Sequence, residues 1–183
     1  MLQEAAFELF LENGYAGTTV GQIANRAGVS RNTFFNYFAG KSDVFWIDLD
    51  FTLERLRDAL RDAPRDRPAM ETVQHALLEI AGDLGPERVP WALTQFSMIG
   101  DTQELQAAAM TRLGRHIRVL TDFLSPSLLD SHPPMLARAA AYATVGACVA
   151  AAQAWASAGT TRGELRPYLE SALAPVIAGF RSL

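Results

Sequence analysis

Cysteine and lysine are almost absent: one of each, Cys148 and Lys41, stands among 183 residues. A lone cysteine closes no internal disulfide, so a reduced, cytoplasmic setting is expected. Long apolar runs are lacking too. None reads as the roughly 18 consecutive apolar residues of a membrane-crossing helix, and no signal peptide is recognised before the first helix. The most apolar stretch, residues 139–159, is rich in alanine, contains Gln153 and reads as a buried helix. Strands are not signalled, because Val, Ile and Thr nowhere alternate with polar residues. An excess of positive charge is missing as well. The net charge of −4 excludes a wholly basic nucleic-acid binder but leaves room for a local basic patch. With 49% apolar and 20% charged residues, the chain is expected to fold.

Signatures of catalysis are missing in the same way. His75, His116 and His132 lie on separate segments, none at ligand spacing from another histidine or from Cys148, so no metal site is expected. There is no phosphate-cradling glycine loop, no nucleophile elbow and no HExxH. Asp48 and Asp50 are two apart on a helix and point different ways. Glu54 and Asp58 have Arg55, Arg57 and Arg61 as neighbours for exposed ion pairs. The expectation is a protein that is not an enzyme and needs no cofactor.

What is present is helical punctuation throughout. Ala6, Phe7, Leu9 and Phe10 recur at helical spacing, and Gly14 caps the end of that first helix. Thr18 or Thr19 caps a second helix that stops at Gly28, and Ser30 caps a third over 31–38. A long helix follows to about residue 63, then a proline-flanked linker, "APRDRP". Further helices are predicted near 69–84, 87–99, 102–124, 134–158 and 164–181. The fold class is therefore all-α in two parts. Residues 1–46 hold three short helices with polar turns, and residues 47–183 hold longer, more apolar ones.

The stretch "SRNTFFNYFAGKSDV", residues 30–44, carries most of the functional information. On a helical wheel Phe34, Phe35 and Phe38 share one arc, and Asn32, Thr33, Asn36 and Tyr37 the opposite one. Three rings suffice to anchor a helix too short to stand alone. The polar arc suits nucleic acid: Asn pairs with adenine edges, and Thr meets phosphate or a thymine methyl. Arg31 at the helix start reaches guanine or phosphate, while Thr19 and Ser30 mark helix N-termini whose N–H groups favour phosphate. From Asn13 to Ser42 there is no acidic residue, but there are Arg26, Arg31 and Lys41, a local +3. Helix–turn–helix spacing, the acid-free window and the polar arc together point to double-stranded DNA.

Residues 5–45, with their succession of LF, NGY, TTV, IA, AGVS, an aromatic pair, YF and KSD, resemble the DNA-binding domain of TetR-family transcriptional regulators. The resemblance implies an all-helical homodimer with a small DNA-reading domain and a larger, variable ligand-binding domain. It places Arg31, Asn32, Thr33 and Asn36 at bases or adjoining backbone, and Thr19, Ser30, Tyr37 and Lys41 at phosphates. Many members carry Tyr where this chain has Phe35, so Tyr37 is expected to supply the phenol. Members also usually carry a stretch before the first helix, often with arginines. This chain begins almost inside that helix, which is expected to weaken affinity through fewer phosphate contacts. The run over 32–60, with Trp46 and Asp48 soon after Lys-Ser-Asp, is similar to the subgroup associated with mycofactocin biosynthesis, which implies response to acyl-coenzyme A.

The family leaves the second part variable. Alanines crowd 134–158, and small side chains let helices approach closely. With 164–181 this helix resembles the family's dimer surface, a four-helix bundle between two copies. Apolar candidates for a ligand pocket are Trp91, Phe96, Met110, Tyr142 and Trp155, with Pro90–Trp91 as a wall. Polar candidates are Gln95, Arg112 and His116, and Arg115 and Arg118 share the helix of Arg112. An arginine cluster facing an apolar cavity would suit an acidic or phosphate-bearing ligand with a long apolar part. The resulting expectation is a cytoplasmic bacterial repressor, dimeric on a palindromic operator and released by a small, largely apolar ligand. The alternative is an activator or interaction module of the same fold without ligand-controlled release.

Overall fold

The structure, a computed structural model, describes residues 1–64, 66–84, 90–95, 102–128, 133 and 135–181. The helices are α1 (Leu2–Gly17), α2 (Val20–Arg26), α3 (Arg31–Tyr37), α4 (Ile47–Arg61), α5 (Ala69–Gly82), α6 (Trp91–Thr94), α7 (Gln103–Leu124), α8 (Met135–Ser157) and α9 (Arg166–Gly179). Among the described residues there is no strand. A 3-10 turn, Lys41–Trp46, precedes α4, so the long helix begins at Ile47, later than its spacing suggests. Of the helix expected over 87–99, the single turn of α6 is described, and the remainder lies mostly outside the described residues.

The first three helices fold as their punctuation dictates. Gly14 takes φ +71° and breaks α1 internally, a conformation open to glycine at little cost. Thr18 is buried and does not cap α2. Its hydroxyl Oγ1 is 3.0 Å from the Leu9 carbonyl and 2.9 Å from the Gly14 carbonyl, fastening the broken end of α1. Thr19 is the cap, accepting from Gln22 N at 3.2 Å while Gln22 Oε1 accepts from Thr19 N. Gly28, at φ +70°, makes the turn into α3.

Two cores result. The first gathers Ala6, Leu9, Phe10, Tyr15, Ile23, Phe34 and Phe45 around α1–α3, and it borrows Ala92 and Leu105 from the later helices. Phe34 is fully buried, worth about 1.5–3 kcal/mol by transfer from water. The second core lies among α4, α5, α7, α8 and α9, around Leu56, Met70, Leu120, Trp155 and Leu173. Trp155 is fully buried there and donates Nε1–H to the Gly163 carbonyl at 3.0 Å.

Two expectations are corrected. Phe35 is not part of the anchor: it is 48% exposed, meeting Phe34 edge-on at 5.6 Å. Phe38 lies past the end of α3 in extended backbone and folds back to 5.2 Å from Phe34, so one ring on the helix and one beyond it form the anchor. The alanine-rich α8 is not buried all round. By length and composition it could cross a membrane, yet its buried residues, among them Ala137, Ala141, Val145 and Trp155, lie along one side. Tyr142, Gly146, Ala150 and Gln153 are exposed along another.

Candidate functional site

On the first domain, the polar arc of α3 faces outward. Arg31, Asn32, Asn36 and Tyr37 are exposed, Tyr37 at 72%, with Phe35 between them. Ser30 Oγ accepts from Thr33 N at 3.0 Å and lies 2.9 Å from Thr33 Oγ1, so the cap ties two of the expected contacts together. Arg31 lies against Gly21, across the start of α2 and beside Thr19. All of these residues share one surface.

The local charge of +3 does not survive folding as a free patch. Arg26 pairs with Glu8 at 3.1 Å and Glu12 at 2.7 Å, acids of α1 that lie outside the acid-free window in sequence but beside it in space. Lys41 turns inward. Its Nζ donates to the Tyr15 carbonyl at 2.7 Å and the Thr18 carbonyl at 3.0 Å, and stands 4.2 Å from the centre of the Tyr15 ring. Two of its three N–H groups are engaged within the domain. Arg31 is left as the cation of this face that makes no ion pair among the described residues.

The second domain, with Trp46, forms a cavity of about 240 Å³ that is partly open to solvent. Its wall is aliphatic, from Leu49 and Leu56 of α4, Leu77 and Ile80 of α5, Leu113 and Leu120 of α7, Val145 and Val149 of α8, and Leu165 and Leu169 near α9. Pro90 lines it as expected. The polar contributors are Trp46, Asp48, Thr52, His116 and Cys148. Burial raises the Asp48 carboxyl, opposed by a hydrogen bond from Gln3, and pushes the Cys148 thiol up to about 12. Burial also lowers His116, with the Arg112 carbonyl opposing.

Of the expected lining residues, Pro90 and His116 line this cavity. Trp91 points the other way, stacked on Phe7 with ring centres 3.9 Å apart, because it closes the first core. Gln95 is half-buried outside the lining, and Phe96 lies outside the described residues. Met110 and Tyr142 are exposed, at 69% and 57%, on the outer sides of their helices. Trp155 belongs to the core. Arg112 is buried but does not face the cavity, because two carboxylates claim it. Nη2 donates to Asp43 Oδ1 at 2.9 Å, and Nε donates to Asp50 at 3.0 and 3.1 Å. Its guanidinium carbon stands 5.7 Å from the centre of the Trp46 ring.

This clamp joins the two domains. Asp43 Oδ2 accepts from Ala39 N at 2.9 Å and Gly40 N at 3.1 Å, the turn directly after α3. On the other side, the Arg112 carbonyl accepts from His116 Nδ1 at 3.0 Å. A continuous chain of contacts therefore runs from the cavity wall through His116, Arg112 and Asp43 to the end of the outward-facing helix. In sequence Asp43 stands only as the end of a Lys-Ser-Asp motif, and Asp50 as one of two aspartates on a helix that point different ways. The signal available was an arginine at the middle of an otherwise amphipathic helix, at a position where its own helix offers no acid one turn away.

Residues 2–45 match the model of bacterial regulatory proteins of the tetR family, and residues 67–181 match the MftR C-terminal domain. The chain belongs to the TetR family. It is a transcriptional regulator and not an enzyme. It is 25% identical over 154 residues to the mycofactocin biosynthesis transcriptional regulator MftR of Mycobacterium tuberculosis, covering 84% of this chain and 77% of that one. Similarity to the transcriptional repressor AcnR of Corynebacterium diphtheriae is 31% over 121 residues, 65% of this chain and 57% of the other. Among solved structures it resembles Thermus thermophilus FadR, a TetR-family repressor in complex with lauroyl-CoA. The TM-score is 0.62 at 25% identity, over 98% of this chain and 93% of FadR. The outward arc of α3 lies within the stretch that matches the tetR-family model.

Proposed function

We propose that this regulator is a ligand-responsive repressor that binds a palindromic operator as a homodimer in the bacterial cytoplasm. A small, largely apolar ligand in the α4–α9 cavity releases it. One observation carries the reading: the cavity wall and the turn after α3 are joined by the His116–Arg112–Asp43 chain. Release then follows from linkage. A ligand that favours one setting of α7 against α4 shifts Arg112, and with it the angle of the DNA-reading helix. Two heads whose separation must match half-sites one helical turn apart tolerate little change of angle.

The dimer is supported by the exposed side of α8, where Tyr142, Gly146, Ala150 and Gln153 run along a helix that packs on α9. Within that arrangement Arg31, Asn32, Thr33 and Asn36 read bases or adjoining backbone, Thr19, Ser30 and Tyr37 meet phosphates, and Lys41, held by the Tyr15 and Thr18 carbonyls, offers its remaining N–H to a phosphate. FadR in complex with lauroyl-CoA makes an acyl-CoA one candidate effector. The test is a titration of operator DNA by fluorescence anisotropy, with and without a candidate ligand. Saturating ligand is expected to weaken binding about 5–150-fold, the usual range of allosteric coupling. An unchanged affinity with the cavity demonstrably filled would refute the reading.

A further inference from the structure

Phe35 stands on the outward surface of α3 without a polar atom. The other side chains of that surface, Arg31, Asn32, Thr33, Asn36 and Tyr37, all carry hydrogen-bonding groups. The ring is 48% exposed, and its seat is fixed: it meets the fully buried Phe34 edge-on, with centres 5.6 Å apart and planes at 87°. At about 100° per residue, Asn32 and Asn36 form the crest of the helix opposite Phe34. Arg31 and Phe35, one turn apart, share one flank, and Thr33 and Tyr37 the other. Side chains on a helix lean toward its N-terminus, so Phe35 leans over the turn that begins at Arg31. That is the end of a reading helix whose residues meet base edges.

A bare ring restricts its partner. It brings no hydrogen bond to a phosphate oxygen or to the amines and carbonyls of a base edge. In the major groove the apolar group on a base is the C5 methyl of thymine. A tyrosine hydroxyl at this position would suit phosphate, which every sequence presents; the phenyl ring suits the one base that carries a methyl. We propose that Phe35 is a specificity-determining residue whose ring packs on the C5 methyl of a thymine in each operator half-site. The proposal rests on α3 being the helix that meets DNA and goes further by naming a base and the group on it that is read. Both apolar surfaces leave water when they meet, so the contact contributes affinity as well as choice of base.

The experiment uses the whole chain and an operator that the chain itself selects from random duplex DNA. Each thymine of the selected site is replaced in turn by deoxyuridine, which removes the C5 methyl and keeps the base pair. Binding is read by fluorescence anisotropy at one fixed salt concentration. At one thymine of each half-site, loss of the methyl is expected to weaken binding about three- to five-fold. Phe35→Ala should weaken binding to the thymine operator by at least that factor and bind the thymine and uracil forms within about 1.5-fold of each other. Asn36→Ala should leave the methyl effect in place. Equal binding of the thymine and uracil forms at every position by the unsubstituted chain would overturn the proposal. A methyl effect that persists in Phe35→Ala would overturn it too, because another side chain then reads the methyl. So would an equal loss by Phe35→Ala on operator and random DNA, which marks packing on the sugar–phosphate backbone. Each of these results leaves DNA reading by α3 standing. If the chain selects no sequence over random DNA, the underlying reading fails with the proposal. Should Phe35→Ala fail to fold, Phe35→Gln takes its place with the same expected loss of the thymine preference.

Discussion

Replacing Arg112 by methionine tests whether the clamp between the domains does what its geometry suggests. At 2.9 Å and an effective dielectric near 20, one guanidinium–carboxylate contact attracts by about 5–6 kcal/mol before desolvation. Much of that is offset. The Arg112 side chain is 9% exposed and gives up most of its hydration, and Asp50, at 39%, is screened by solvent. Asp43, at 28%, is the better-insulated partner. The net loss in Arg112→Met is expected to be about 2–4 kcal/mol, because Asp43 is left without a cation and Asp50 with only the exposed Arg115 at 3.7 Å. For a chain of this size that is roughly 4–16 °C in Tm at fixed protein concentration.

The decisive form is a double-mutant cycle with Asp43→Asn. Urea unfolding followed by circular dichroism should give a coupling of about 1–3 kcal/mol. The same variants go into the operator titration. Arg112→Met should retain DNA binding while losing about 1 kcal/mol or more of the ligand response, a roughly five-fold smaller shift. Arg115→Met is the control: Arg115 reaches Asp50 only at 3.7 Å and is 54% exposed, so it should cost under about 0.5 kcal/mol. Additive effects of the two clamp substitutions would refute the pairing argument. A full ligand response in a folded Arg112→Met protein would refute its place in the coupling.

Three further outcomes are expected. Cys148, half-buried on the cavity wall with its thiol pushed up to about 12, should react with iodoacetamide at pH 8 more slowly in the folded protein than in urea; equally fast labelling in both states would contradict the raised thiol. His116 is lowered below its ordinary value near 6.5, so its native state binds fewer protons than the unfolded chain; stability should be full above that value and fall as pH drops toward the native pKa, and His116→Gln should flatten this slope in urea unfolding. Asn36→Ala should relax base preference while Lys41→Ala weakens all sequences alike, and the latter should also cost about 1–2 kcal/mol of stability through the Tyr15 and Thr18 carbonyls, measured by thermal unfolding.

The DNA-reading half was legible because its determinants are local. Thr19 and Ser30 cap the helices that follow them, Gly28 turns between them, and the polar arc over Asn32 and Asn36 needs nothing but helical periodicity to appear. Phe35 shows the limit of that periodicity. The wheel assumed a helix continuing to 38, but α3 stops at Tyr37, and the extended Phe38, half-buried, packs against Phe34 instead. The cavity was less legible for a related reason. Bulk and aromaticity mark a residue as apolar but do not say which of several faces it serves. Trp91 served the first core, Trp155 the second, and Tyr142 the outer side of α8. The cavity wall was left to medium-sized aliphatic residues, which no single position distinguishes from ordinary packing.

Arg112 was misread because its partners are 69 and 62 positions away. Arginines three residues apart, at 112, 115 and 118, resemble a stripe when only their own helix is considered. Folding divides them: Arg115 and Arg118 stay in solvent, while Arg112 is drawn under Asp43 and Asp50. The placement also answers why a regulator keeps a buried ion pair, which often contributes less to stability than a hydrophobic substitute would. A leucine at 112 would fill the same space but would leave the Asp43 carboxylate, and so the Ala39 and Gly40 amides, free of any directional link to α7. Geometry transmitted through a guanidinium fork depends on the position of α7, whereas apolar packing tolerates sliding. On the proposed reading, in which the helix that meets DNA answers to a cavity in the other domain, the directional contact is the one that serves at that joint.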